Sequence, residues 1–524
     1  MAAAAPTYID KLVQKAKTTV KTELPSAVEV AAARERMEAA EKKERILVEA
    51  YGDVRIFKEP GDPLYLYEVP VPRYKGEEKL LVNTLAEIAS KVIPYESGAF
   101  ATQEQRKTAY LRKVLEIIDA TPELKIPSAA KEFYAKAVVR EMVGYGLIDP
   151  LLEDDLLEEI MVIGPGKPVY VFHRKYEMTR TNIVFYDDKD VRDLQDRIAR
   201  IIGRRIHFQS PLLDARLPDG TRVNMTIPPA SIDGSTLTVR KFRMDPFTVM
   251  DLISGGTLNY ETAAFLWLAS DGFGAKPANI LVSGGTASGK TTLLNVLCSF
   301  VPSDERVITV EETAELALPL PHWIRFETRP PGIEQTGEIS MDVLVKNALH
   351  MRPDRIIVGE IRGDEGFTLF SAINTGHDGC AGTVHANSAK ETLIRIMSPP
   401  ISVPPVMITP LNFIIMTQRI NDRRKGLIRR VTEIAEITAV EDNKPVIQTI
   451  YTWDPAKDAI SPTGIPCNYM QMLSRYLGVG KEAVGEELKQ RERILREMTE
   501  KGVRKLADVC AITQSYISKH RERL

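Results

Sequence analysis

The chain has 524 residues, 44% apolar and 27% charged, with a net charge of −2. That length exceeds one ordinary domain, the composition is that of a soluble globular protein, and near-neutrality argues against a surface that generally coats nucleic acid. Cys298, Cys380, Cys467 and Cys510 lie far apart with no C-x-x-C pair, which argues against a disulfide framework or a cysteine zinc site and fits a reduced, cytoplasmic setting.

Residues 1–50 are expected to form a helical arm. The stretch 31–50 is mostly Ala, Glu, Lys and Arg, strong helix formers with a thin apolar stripe. Its start lacks the apolar core of a signal peptide. A first α+β subdomain is expected over 51–150, with strands near Val54–Phe57 and Leu64–Val69 around the turn Pro60-Gly61-Asp62-Pro63, then three helices. A second is expected over 151–244. It carries short strands, the amphipathic helix Asp190–Ile202, and two strands over Leu217–Met225, entered through a Pro-Asp-Gly turn, and Thr236–Phe242. Asp245-Pro246-Phe247 is the expected linker into a third region, 245–524.

There strands and helices alternate, as in a parallel α/β sheet with crossover helices. Gly284-Gly285-Thr286-Ala287-Ser288-Gly289-Lys290-Thr291 fits the phosphate-binding pattern G-x-x-x-x-G-K-[ST] at every fixed position. The apolar Ala278–Ser283 before it reads as a strand, and Lys290–Phe300 after it as a helix. That order gathers backbone N–H groups and the positive end of a helix around one anion. Lys290 would reach the β/γ-phosphates and Thr291 would hold Mg²⁺. Three further strands end in Glu311-Glu312, in Gly359-Glu360 and in His385. Ligands in open parallel sheets sit at the carboxyl ends of strands, so these residues are expected to face the loop. Beyond Asn412 follow one more strand, an antiparallel pair, and a charged helical tail from Tyr469. The basic run Arg423-Arg424-Lys425 with Arg429-Arg430 reads as a solvated hairpin. No apolar run reaches the ~18 residues of a membrane span.

Four segments together resemble the secretion and type IV pilus ATPases of the RecA-like P-loop class, in particular the archaeal branch with the archaellum motor and pilus-assembly ATPases. They are the phosphate loop; Ile308–Glu315, similar to that family's Asp box; Ile356–Arg362, similar to its Walker B with Gly-Glu; and Thr375–His377 through Thr383–Ser388, similar to its His box. The resemblance implies an α/β fold: a RecA-like P-loop domain with a mixed α+β, PAS-like N-terminal region, assembling as a ring. It implies ATP and Mg²⁺ as cofactors, with Gly284–Thr291 and Thr292 around the nucleotide and Thr292 at the α-phosphate. Glu311 would orient the attacking water and Glu360 would arrange Mg²⁺ and its waters, or the reverse. His385 would sense the γ-phosphate, with His377 a second histidine to weigh. Arg222 and Arg240, with Arg216 a weaker candidate, would act as arginine fingers on a neighbouring subunit, with a hinge near Asp245.

The implied partners are five further copies in a homohexamer, a polytopic membrane platform protein and accessory regulators of the motor, with no direct nucleic acid. The protein would be cytoplasmic and peripherally attached to the membrane. In place of the family's usual Glu-Asp, this chain has Glu311-Glu312. The extra methylene shifts a contact by ~1 Å, enough to cost about 10²-fold in rate, and leaves open which carboxylate works. Competing readings are a protein-secretion or conjugation-type translocation ATPase and a scaffold that binds nucleotide without hydrolysing it.

Overall fold

In the computed structural model of the chain, residues 45–70, 77–93, 103–124, 126–241, 246–329, 331, 336–422 and 425–521 are described. The arm over 1–44, Phe242, the linker residue Asp245, and Arg423 and Arg424 lie outside them. The backbone divides into two units, Met1–Phe242 and Arg243–Leu524.

The first unit is built on nine strands: β1 Ile46–Tyr51, β2 Val54–Lys58, β3 Tyr65–Glu68, β4 Leu157–Val162, β5 Pro168–His173, β6 Glu177–Val184, β7 Leu212–Arg216, β8 Arg222–Thr226 and β9 Thr236–Arg240. They form one sheet in the order β1-β2-β3-β6-β5-β4-β9-β8-β7. All its pairings are antiparallel except β3 with β6. Strands from both sides of residue 150 thus share a sheet. The helices Glu77–Val92, Gln103–Asp119 and Lys131–Met142 instead bury a core of their own, including Leu81, Leu85, Val114 and Val138.

One local expectation is corrected. Residues 46–50, expected as the end of the helical arm, belong with Tyr51 to the strand β1. Ile46, Leu47 and Val48 favour the pleat, and Gly52 at φ 50° turns the chain so that Tyr51 pairs with Val54. The stretch Leu217–Met225, expected as a strand entered through a Pro-Asp-Gly turn, is that turn followed by the second arm of a hairpin. Gly220, at φ 93°, donates to the Leu217 carbonyl at 2.9 Å, and β7 returns as β8.

The second unit holds β10 Ile280–Gly284, β11 Val307–Glu311, β12 Trp323–Glu327, β13 Arg355–Val358, β14 Ala381–Val384, β15 Phe413–Asp422, β16 Gly426–Glu441, β17 Lys444–Asp454 and β18 Ala459–Pro462. Their order is β12-β11-β13-β14-β10-β15-β16-β17-β18. Pairing is parallel from β12 to β15 and antiparallel beyond. Every residue of β10, β11, β13 and β14 is buried, because helices cover both faces of a parallel sheet; the strands are mainly apolar, and their few polar residues, such as Glu311 and Arg355, are buried with them.

The charged tail does not float. Arg491, at 1% exposure, sits mid-helix in Lys481–Glu500 and pairs with Asp271 at 2.6 Å and Glu487 at 2.7 Å, its guanidinium over the Trp267 ring. Asp271 ends the helix Tyr260–Asp271, which is buried from Thr262 onward, so this ion cluster fastens the tail to that helix. The basic hairpin is likewise not simply solvated. Arg430 is buried, with Asp458 at 2.6 Å from its Nε and 2.8 Å from its Nη2.

Candidate nucleotide site

The phosphate loop leaves β10 at Gly284 and enters the helix Lys290–Ser299 at Gly289. Gly284 admits no side chain: a Cβ there would collide with the Thr417 carbonyl oxygen on β15. Thr417 Oγ1 also meets Ser288 Oγ at 2.9 Å and donates to the Ser283 carbonyl at 3.2 Å, pinning both ends of the loop. Gly289, at φ 96°, caps the helix without a side chain of its own, leaving its first N–H groups free of a capping group.

Lys290 lies along the loop, its ammonium 2.9 Å from the Gly285 carbonyl and 3.2 Å from His385 Nδ1. His385 Nε2 in turn stands 3.1 Å from Glu360 Oε1. Arg362 grips Glu360 through Nε at 2.7 Å and Nη2 at 3.0 Å, and reaches Glu312 at 2.8 Å. Lys290, His385, Glu360, Arg362 and Glu312 therefore form one continuous chain of contacts across the strand ends. Burial, with the Glu360 charge opposing it, holds the Lys290 ammonium below its usual range. Burial and the Lys290 charge likewise lower His385. At Glu360 burial pushes upward, but the Arg362 hydrogen bond and the His385, Arg362 and Lys290 charges outweigh it and keep the carboxylate ionised.

Glu311 stands apart from that chain. Its Oε1 accepts the N–H groups of Glu315 and Leu316 at 2.9 and 3.0 Å, while Oε2 is buried with no hydrogen-bond partner among the described residues. Burial raises its carboxyl to about 7. Gly359 makes this possible: a Cβ there would lie 2.9 Å from Glu311 Cγ. Asn295 on the phosphate-loop helix accepts the Ala317 N–H at 2.9 Å, tying the segment after Glu311 to that helix.

Thr291 and Thr292 open the helix and are half-buried. Among the described residues no group of three His, Cys, Asp or Glu side chains makes a metal nest. His377 is not part of the cluster: it bonds the Ala372 carbonyl at the end of the helix Asp364–Asn374.

In the first unit, Arg216 opposes Arg222 across β7 and β8, and Arg222 opposes Arg240 across β8 and β9. Directly opposed residues share a face, so the three arginines form one row, with Glu159 beside Arg240. The sequence reading named Arg222 and Arg240, with Arg216 a weaker candidate, but not the register of β7 against β8 that sets the three in one row.

Arg362 and Thr417 were also missed as site residues. Arg362 could have been found, since two residues after Glu360 in an extended segment falls on the same side. Thr417 carried no such signal, because its role exists only through the neighbouring strand.

The phosphate-loop strand flanked by β14 and β15, with β13 one strand further, makes the second unit a RecA-like P-loop domain. Residues 141–453 match the family model described as Type II/IV secretion system protein. The chain belongs to that family. Among relatives, Uncharacterized protein MJ0781 of Methanocaldococcus jannaschii is 34% identical over 75% of this chain and 77% of its own length. Type IV secretion system protein PtlH of Bordetella pertussis is 32% identical over 48% of this chain and 78% of its own. Of solved structures, the Yersinia pseudotuberculosis ATPase DotB is matched at TM-score 0.41 with 14% identity, over 70% of this chain and 92% of that one.

Proposed function

We propose that the chain is the ATPase of a secretion-type motor: a homohexameric ring that hydrolyses Mg²⁺-bound ATP and drives assembly or rotation of an archaellum- or type IV pilus-like filament. The observation that carries this reading is the contact chain from Lys290 through His385 to Glu360 beside a phosphate loop fixed at both ends. Phosphoryl transfer to water needs charge neutralisation, an oriented water and in-line geometry. Lys290 and the loop N–H groups neutralise the phosphates, and Thr291 and Glu360 hold the metal shell. Thr292 meets the α-phosphate. Glu311 orients the water: its unpartnered, buried Oε2 and a carboxyl near neutrality suit a general base. His385, between Lys290 and Glu360, reads whether the γ-phosphate is present.

The missing transition-state cation is Arg222 or Arg240 from a neighbouring subunit; such fingers contribute about 10³–10⁵ in rate. No helix among the described residues is long and apolar enough to cross a membrane. In this reading the force passes to a polytopic platform protein, with the motor peripherally attached on the cytoplasmic side and its accessory regulators docked there.

ATPase rates of the wild type against Lys290→Ala and Glu360→Gln test the chemistry; equal rates would sink it. Mixing Arg240→Ala with Lys290→Ala subunits tests the shared site, which requires activity above that of either variant alone. Family membership equally favours a second reading, a motor for protein secretion or conjugation-type translocation. Co-purification from solubilised membranes separates the two by which platform protein and cargo follow the ring.

A further inference from the structure

One basic residue makes a contact that the assignment above leaves unused. Arg429 on β16 donates its Nε–H to the Ala287 carbonyl at 3.0 Å, and its Cδ packs 3.6 Å from where a Cβ on Gly289 would stand. Ala287 has φ 57°, and no other non-glycine residue between Gly284 and Thr291 has a positive φ. That conformation is strained for an L-residue, whose Cβ crowds the following carbonyl oxygen, so it persists only where the surroundings offset the strain. The Arg429 bond lands on the carbonyl of that strained residue.

Arg429 is itself held on its backbone side. Its carbonyl accepts from Thr257 Oγ1 at 3.0 Å and from Arg430 Nη1 at 2.8 Å, and the Val431 N–H bonds the Thr257 carbonyl at 3.1 Å. Arg430 Nη1 also reaches the Gly255 carbonyl at 2.9 Å, while Asp458 fixes the rest of its guanidinium. Gly256 must be glycine-sized at φ 70°, since a Cβ would lie 3.2 Å from Arg430 Nη2. Residues 255–257 close the first helix of the second unit, Val249–Ser254. The backbone that carries Arg429 is thus tied to the start of that unit on one side, and the side chain reaches the phosphate loop on the other.

The geometry points to Arg429 as a positioning residue for the phosphate loop: it holds Ala287 in the conformation that turns the loop N–H groups inward, and links that conformation to residues 255–257. This rests on the loop binding nucleotide. The mechanism is a hydrogen bond from Nε, not a charge, and that makes it separable. Glutamine places its amide nitrogen the same number of bonds from Cα as arginine places Nε, so Arg429→Gln keeps a donor at that point while removing the charge. Arg429→Ala removes both.

The test uses the full chain, with fluorescent-ADP titration, ATPase kinetics and thermal melting. Arg429→Ala is expected to weaken ADP about tenfold, as loss of one hydrogen bond allows, and to raise the ATP KM in step, with kcat falling less than KM rises. Arg429→Gln is expected to stay within about threefold of wild type. Arg429→Ala binding ADP like wild type, or Arg429→Gln as weak as Arg429→Ala, overturns the inference. A wild-type chain that binds ADP no better than Lys290→Ala overturns the nucleotide reading instead.

Discussion

Glu311→Gln gives the sharpest test of the site's electrostatics. Glutamine can keep the acceptor that serves the Glu315 and Leu316 N–H groups, and its amide stands where the buried Oε2 now does. Burial lifts the Glu311 carboxyl from 4.5 to about 7 in the folded chain. The group is therefore protonated in both folded and unfolded states below 4.5. As pH rises through 4.5 the unfolded carboxyl ionises first, and folding stability falls until the folded carboxyl also ionises near 7. At about 1.36 kcal/mol per unit, the loss across that window is on the order of 3 kcal/mol. Glutamine does not titrate, so its stability relative to wild type should climb by that amount between pH 4.5 and pH 8. Urea unfolding at several pH values measures it. A difference that stays flat with pH refutes the reasoning, because it means Glu311 is solvated or charge-paired. The same variant tests chemistry: if Glu311 orients the water, ATPase activity falls even where the fold is firmer.

Gly359→Ala should lower the melting temperature through ~1–3 kcal/mol of overpacking, because its Cβ meets Glu311 Cγ at 2.9 Å; an unchanged melt would show that Glu311 moves aside freely. Arg491→Ala should cost about 3–5 kcal/mol by removing the guanidinium that the buried carboxylates Asp271 and Glu487 share, and Arg491→Met nearly as much, because it refills the space without restoring the charge; chemical denaturation measures both, and a Met variant as stable as wild type would refute the electrostatic account. Arg222→Ala should collapse ATPase activity while changing folding stability by no more than about 1 kcal/mol, the size of a cross-strand pair contribution, as chemical denaturation measures. A loss of stability matching the loss of activity would assign Arg222 to the fold instead.

The phosphate loop and the three strand ends were legible because their chemistry is local. A glycine loop between strand and helix, and carboxylates directly after apolar runs, say what they are within a few residues. What escaped depends on pairing between distant strands. Arg216, Arg222 and Arg240 become a row only once β7, β8 and β9 are in register. Thr417 matters only because β15 lies beside β10. Arg430 and Arg491 misled in the other direction: each sits in a charged stretch that composition reads as solvated, and only the fold brings Asp458 and Asp271 against them. Residues 46–50 were lost to the helix-rich sequence before them, whose propensity ran past the point where Gly52 allows a hairpin.

The parallel pairing of β3 with β6 has a consequence for dissecting the molecule. The segment shared with the family begins at 141, yet the strand that covers one side of β6 comes from Tyr65–Glu68. A truncated chain starting near 141 would keep every site residue and strip three strands from the sheet. It would leave the eight residues of β6, Glu177–Val184, as an open edge with unpaired N–H and C=O groups. Such edges recruit other strands, so that fragment is expected to aggregate at concentrations where the chain from residue 45 onward stays dispersed.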